Sequence, residues 1–366
     1  MREYLVTALI AALIAYVATP LVIKAARSFG AIAEIRNRDV HSVPTPRWGG
    51  IAMWLAMSLT FLIVNHLPLV GKSFGHDAQG IFLAATFITL LGALDDRFQL
   101  DALTKLAGQA LAAGILLLYG IQILWLPING VVTLPQSIGQ FLTVLIVLVT
   151  INAVNFIDGL DGLATGIAAI SAAAFFAFSY LLAVVYGLSR AGSPSLITAV
   201  VVGVCVGFLP YNVHPARIFM GDSGSMFLGL LLATSAITLT GQVDANAISA
   251  ERAGPTLLPL LLPFAVLAIP LLDFLLAIIR RVRAGKSPFA PDRDHLHHRL
   301  LARGFSHQRT AVIMYSWTAT LAVPVTIAAF EPVWVAILAA LILGTATFFL
   351  NFKRGKVKNP KAEVSA

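Results

Sequence analysis

The chain has a single cysteine, Cys205, inside an apolar run. One thiol excludes an internal disulfide and a thiolate metal cluster, and reads as a small packing residue. Charge is scarce as well. Asp, Glu, Lys and Arg make up 11% of the residues, against about 25% in soluble domains. With 58% hydrophobic residues and a mean hydropathy of +0.87, the chain cannot cover a water-facing surface. Segments such as LVTALIAALIAYVATPLVI (5–23) lack the polar face that a soluble helical bundle needs. No internal repeat is visible, and no gap between apolar runs has room for a separate soluble domain. Lipid is therefore the main solvent.

What is there is a series of bilayer-length apolar runs, near 4–24, 48–68, 80–94, 103–125, 137–156, 163–188, 195–212, 225–241, 256–280, 310–329 and 332–352. They predict an all-α polytopic membrane protein, a bundle of about 11 transmembrane helices (10–11). One integral-membrane domain would cover 1–352, with a basic tail over 353–366. The first run is long enough to span and is read as uncleaved. The net charge of +8 sorts by side. Of the 25 Lys and Arg, 21 fall in the tail and around the loops after spans 1, 3, 5, 7 and 9; Arg2, Lys72, Arg190 and Arg252 fall on the other side. The positive-inside rule places the first set in the cytoplasm, with the N-terminus outside and the C-terminus inside. The positive charge is then a topology signal, and no nucleic-acid partner is expected. On the outer side, LPINGVVTLP (126–135) carries Asn-Gly between β-prone runs and predicts a small external β-hairpin.

The polar residues collect in the cytoplasmic loops. RNRDVHSVPTPRWGG (36–50) fits an ordinary basic loop or a phosphate-binding rim. LGALDDRFQLDALTKLAGQ (91–109) ends span 3 with Asp95-Asp96, adjacent carboxylates that repel unless a proton or cation intervenes. Asp101 is placed to cap the next helix. Lys105, one turn inside it, can snorkel or point at a bound phosphate. NAVNFIDGLDG (152–162) puts Asn152 and Asn155 on one helix face, followed by two Asp-Gly turns at Asp158 and Asp161. The turns need no special explanation, but two amides within a span do. YNVHPARIFMGDSGSMFLG (211–229) sets Asp222 at the start of span 8, as an N-cap or as a hard ligand suited to Mg²⁺. PFAPDRDHLHHRLLARGFS (288–306) holds His295, His297, His298 and Arg299. His297 and His298 point apart on a helix and no cysteine accompanies them. A cationic, hydrogen-bonding clamp therefore fits better than zinc. Asp273, inside span 9, needs a partner and reads as a supporting group.

These stretches follow spans 3, 5, 7 and 9, so all open on the face that the Lys and Arg distribution assigns to the cytoplasm. Carboxylates suited to Mg²⁺, ringed by cations on that face, suggest a phosphorylated or nucleotide-linked substrate. The motifs HSVPTPRWGG, LDDRFQL, NAVNFIDGLDGL, FMGDSGSMFLG and DRDHLHHRL, in this order over about residues 30–310, resemble the polyprenyl-phosphate N-acetylhexosamine-1-phosphate transferases. These enzymes begin bacterial envelope glycans such as O-antigen, enterobacterial common antigen, teichoic acid and the arabinogalactan linker. HLHHR after PDRD is similar to the GlcNAc-1-phosphate branch rather than to the more distant phospho-MurNAc-pentapeptide translocase.

The resemblance implies UDP-GlcNAc as donor, undecaprenyl or decaprenyl phosphate as acceptor, UMP as product and Mg²⁺ (or Mn²⁺) as cofactor. It also implies a bacterial inner (plasma) membrane location, an often dimeric bundle and a cytoplasmic active-site cleft. Asp222 matches the metal-binding aspartate and Asn155 an amide near the same metal. Asp95 and Asp96 match an essential acidic pair, and Lys105 a phosphate-contacting lysine. Asp158 and Asp161 match positions lining the uridine pocket, and Asn212 a polar position close to the metal. His295, His297, His298 and Arg299 match a clamp over sugar and pyrophosphate. A phosphate monoester is mostly dianionic at pH 7, its second pKa being about 6, so a full general base would gain little. In-line attack by the carrier phosphate and a phospho-aspartyl intermediate both remain open. The alternatives are a transferase using another UDP-N-acetylhexosamine, which needs only small pocket changes, and a lipid-linked sugar transporter or flippase, which would place ionisable groups at midplane and show repeats.

Overall fold

The computed structural model describes residues 1–32, 44–73, 75–126, 132–185, 192–241, 261–285 and 295–352. The tail 353–366, the loop segment 36–43 and the PDRD segment 291–294 lie outside them. Among the described residues the chain is an α-helical bundle with twelve named helices, and residues 261–266 are helical as well. They are α1 (Arg2–Ser28), α2 (Gly49–Val64), α3 (His76–Phe98), α4 (Ala102–Leu118), α5 (Gln136–Ile157) and α6 (Leu163–Tyr180). There follow α7 (Gly192–Asn212), α8 (Gly221–Gly241), α9 (Ala268–Arg283), α10 (Leu296–Ala302), α11 (His307–Ile327) and α12 (Val333–Phe352). Eight helices are long and apolar enough to cross a bilayer: α1, α3, α5, α6 with its π-helical extension, α7, α8, α11 and α12. α2 and α4, of 16 and 17 residues, are shorter apolar helices. The chain is an all-α, multi-pass membrane protein.

The helix ends follow local chemistry. Asp101 caps α4 by accepting from the N–H groups of Leu103 (2.9 Å) and Thr104 (3.0 Å). Ser306 accepts from Arg309 N–H at the start of α11. At the opposite end of the bundle from the polar loops, Glu3 Oε2 takes the N–H groups of Leu69 and Val70, both at 2.9 Å. That bond ties α1 to the 3₁₀ turn Val70–Ser73. In the stretch expected to form a hairpin, Trp125–Leu126 pairs antiparallel with Val132–Thr133. The Asn129-Gly130 dipeptide between them lies outside the described residues.

Helix α8 is the hub. From Ser223 to Leu239 it is buried on every side, and it packs against α2, α3, α5, α6 and α7. Beyond its first turns, Thr234, Ser235 and Thr238 each donate to the carbonyl four residues back at 2.8 Å. Small residues allow the close crossings. A Cβ on Gly92 of α3 would lie 2.5 Å from Ser223 Cα and N, and one on Gly50 of α2 would overlap the Ser223–Gly224 backbone. The start of α8 is thereby pressed between α2 and α3, at the end of the bundle where α3, α5 and α7 finish.

Candidate active site

The polar centre is built around the first turn of α8. Asp96, buried at the end of α3, accepts from the backbone N–H groups of Asp222 (2.8 Å) and Ser223 (3.1 Å) and from Ser223 Oγ (2.8 Å). A carboxylate from another helix thus caps α8, satisfying two orphan donors and complementing its dipole. Asp222, read from sequence as an N-cap or a ligand, is not the cap. Its side chain is left for other partners. Gly221 precedes it at φ +71°, and a Cβ there would overlap the Arg47 carbonyl and the Asp96 carboxylate.

Asp95 and Asp96 avoid mutual repulsion by facing different partners. Asp95 Oδ1 accepts from Leu100 N–H (2.7 Å), and Asp95 Oδ2 pairs with Lys105 Nζ at 2.6 Å. The same ammonium lies 3.2 Å from Asp222 Oδ2. Asn155 Nδ2 donates to Asp222 Oδ1 at 2.5 Å and to Ser225 Oγ at 2.9 Å. The structure therefore joins Asp95, Asp96, Lys105, Asn155 and Asp222 from four helices in one network. Asn152, which the sequence left unexplained, donates to Gln109 Oε1 (2.7 Å) and to Leu148 O (2.8 Å).

The Asp-Gly turns lie beside this network. Asp158, just past α5, is half-buried. Burial pushes its carboxyl well above the usual range; repulsion from Asp222 and Asp96 adds to this, and Arg47 opposes it. Asp161 faces inward. Its Oδ2 receives His214 Nδ1 (2.8 Å) and Ala216 N–H (3.1 Å), so it braces the α7–α8 loop. Asn212 does related work, accepting from Thr165 Oγ1 (2.7 Å) and donating to Ile218 O (3.0 Å). Tyr315 of α11 donates to Gly162 O at 2.5 Å.

The histidine segment is held by Asp273, whose Oδ2 meets His295 Nδ1 at 3.0 Å while Oδ1 accepts Leu296 N–H at 2.9 Å. His295 lies 5.3 Å from the Phe156 ring, and the Arg281 guanidinium lies 5.0 Å from the same ring. His297 is 1% exposed and packs on Gly159, where a Cβ would lie 2.5 Å from its Nε2. Burial first, then His298, lowers its pKa to about 3. His297 is thus a neutral wedge at pH 7, rather than part of a cationic clamp. Arg299 is exposed and His298 half-buried; the His297 and His298 rings lie 4.2 Å apart, so the two do not point apart as their adjacency on a helix suggests.

The unfolded chain binds a proton at His297 near pH 6.5 and the folded chain does not, so stability is lost as pH falls from 6.5 toward 3. At pH 5 the loss from this residue is about 2 kcal/mol. Unfolding in detergent at pH 7 and pH 5 should show wild type losing about that much more than His297→Gln. Equal losses would contradict the assignment.

The donor set suits a hard divalent cation: a carboxylate and an amide on Asp222 and Asn155, with a lysine ammonium already between two carboxylates. The Asn155 amide presents Nδ2 to Asp222, so metal ligation requires its oxygen to turn inward. Among the described residues no group of three His, Cys, Asp or Glu forms a self-sufficient metal cage. Asp222 and Asn155 would hold a cation whose remaining ligands are substrate oxygens and water, a common arrangement for Mg²⁺.

Sequence reasoning missed Asp96 as the cap of α8, His214 as the partner of Asp161, and Gln109. The signal for Gln109 is an amide four residues after Lys105, on the same helix face.

Residues 78–240 match the model of glycosyl transferase family 4. The chain is 42% identical to a decaprenyl-phosphate N-acetylglucosaminephosphotransferase of Mycobacterium tuberculosis, over 97% of this chain and 91% of that protein. It is 32% identical to a probable undecaprenyl-phosphate N-acetylglucosaminyl 1-phosphate transferase of Bacillus subtilis, over 94% and 90%. It is 27% identical to the undecaprenyl-phosphate alpha-N-acetylglucosaminyl 1-phosphate transferase of Escherichia coli, over 89% and 84%. The matched region takes in α3 to α8, the helices that carry the carboxylate–lysine–amide network, and the similarity to these relatives continues through the histidine segment. The chain belongs to glycosyl transferase family 4 and, within it, to the polyprenyl-phosphate N-acetylglucosamine-1-phosphate transferases.

Proposed function

We propose that the protein transfers N-acetylglucosamine-1-phosphate from UDP-GlcNAc to a polyprenyl phosphate, releasing UMP, at the network around Asp222. The observation that carries this reading is the meeting of Asp95, Lys105, Asn155 and Asp222 at helix ends on one face of a lipid-embedded bundle. A transporter would place such groups deeper. Relatives are named for decaprenyl and for undecaprenyl carriers, and the acceptor here is of that class. Adding α2, α4 and α9 to the eight longer helices gives eleven spans, with this face cytoplasmic in a bacterial inner membrane and the β-pair outside.

Two anions must meet, so neutralising charge is the main task. When bound, Mg²⁺ (or Mn²⁺) held by Asp222 and Asn155 supplies positive charge to the pyrophosphate. Asp95 fixes Lys105, which contacts phosphate oxygens; Asp96 holds the α8 backbone so that Asp222 faces the cleft. Asp158 borders the nucleotide. Arg299, His298 and the Asp273-anchored His295 close over the sugar phosphate. An oxygen of the carrier phosphate bonds to the β-phosphorus, the bond to the UMP oxygen breaks, and UMP leaves with that electron pair.

The test uses purified protein, UDP-GlcNAc, decaprenyl phosphate and Mg²⁺, scored for UMP, with an arm that replaces the lipid by labelled UMP. UMP release that requires lipid, with no label entering UDP-GlcNAc in its absence, is expected. No UMP with any UDP-sugar would remove the transferase reading. Lipid-independent exchange would replace direct attack by a phospho-enzyme.

A further inference from the structure

We infer that Gln109 and Asn152 form a positioning pair that sets the registration of α4 against α5 beneath the reaction centre. This inference rests on the transferase reading above. Lys105 and Gln109 are four residues apart on α4, and Asn152 and Asn155 three apart on α5, so each helix turns the same face toward the centre and toward the pair. The upper rung is Lys105–Asp222–Asn155, and the lower rung is Gln109–Asn152, joined at 2.7 Å.

Gln109 is 2% exposed. In a lipid-embedded bundle an apolar pair would hold two helices together without the cost of desolvating amides. A directional hydrogen bond adds what apolar contact does not: it fixes rotation and axial offset. Asn152 is itself held in orientation by its second bond, to Leu148 O at 2.8 Å. On its other side α4 meets α3 at Gly108, where a Cβ would overlap the Leu91 side chain. Lys105 is therefore set from both flanks, by Gly108 against Leu91 and by Gln109 against Asn152. Its ammonium must reach Asp95 and Asp222 at once, so a small rotation of α4 would break the bridge.

Gln109→Met and Asn152→Leu remove the amide pair while keeping apolar bulk. In the UMP-release assay each should lower kcat by about ten- to a hundred-fold, the loss expected for a misplacement near 1 Å. KM for UDP-GlcNAc should change less than about three-fold, because these amides do not touch substrate. The double swap Gln109→Asn with Asn152→Gln restores an amide pair and should recover most of kcat. Combining Gln109→Met with Lys105→Ala should cost little more than Lys105→Ala alone. Thermal unfolding in detergent reports the folded fraction, to which rates are normalised. Wild-type kcat in both single variants, multiplicative losses with Lys105→Ala, or a loss of activity that only follows the folded fraction would overturn the positioning role. If both single variants fail to fold, the swap decides: a folded swap with the low kcat of a misplaced lysine would also overturn it. Absence of UMP from wild type would instead sink the transferase reading on which the inference rests.

Discussion

Asp222→Asn should leave a folded protein whose UMP release falls at least about 10³-fold and no longer responds to Mg²⁺. The side chain of Asp222 faces Lys105 Nζ at 3.2 Å and Asn155 Nδ2 at 2.5 Å. A neutral amide keeps the shape but removes the charge that a divalent cation needs. Folding is spared because α8 is capped through the backbone N–H of Asp222, which Asp96 holds whatever the side chain. The measurement is a Mg²⁺ titration of turnover beside a thermal unfolding curve in detergent. Turnover above about a tenth of wild type, with normal Mg²⁺ saturation, would place the metal elsewhere.

Gly221→Ala should be the most destabilising small substitution at the site, costing about 3 kcal/mol or more. Its φ of +71° strains any L side chain, and the added methyl meets the Arg47 carbonyl and the Asp96 carboxylate, neither a flexible chain end. Relief requires α8 to move away from Asp96, which also displaces Asp222. Gly114→Ala is the control: that glycine is inside α4 with nothing within 4 Å of the added carbon, so the change should be neutral or stabilise by up to about 1 kcal/mol. Denaturant unfolding of both variants checks the contrast. Equal stability of Gly221→Ala and wild type would mean that the tight start of α8 is not required.

The helical bundle could be read from the chain because lipid imposes long apolar runs, and each expected run overlaps a helix. Runs 2 and 4 ended earlier than expected, at Val64 and Leu118. The hydropathy of the following residues continues past the point where the backbone turns, at Asn65 and at Tyr119-Gly120. The catalytic candidates were also legible, since carboxylates, lysine and amides in apolar surroundings need partners. What stayed hidden was the choice of partner. Asp95-Asp96 suggested repulsion, yet the two carboxylates face a lysine and a helix N-terminus. Asp161 and Asp158 look equivalent as Asp-Gly turns, yet one braces His214 and the other lies beside the Asp222 network. The histidines looked alike in HLHHR, but burial leaves His297 neutral and Asp273 secures His295. Such pairings join residues 10 to 126 positions apart, which local spacing does not encode.

If this face of the bundle joins a sugar phosphate to a lipid phosphate, the mass of the lipid product will show it after purified protein is incubated with UDP-GlcNAc, decaprenyl phosphate and Mg²⁺. Decaprenyl pyrophosphate carrying one N-acetylglucosamine, formed in equal amount with UMP and absent with Asp222→Asn, is expected. Unchanged decaprenyl phosphate from an active, folded preparation, or the same product from Asp222→Asn at the wild-type rate, would contradict it.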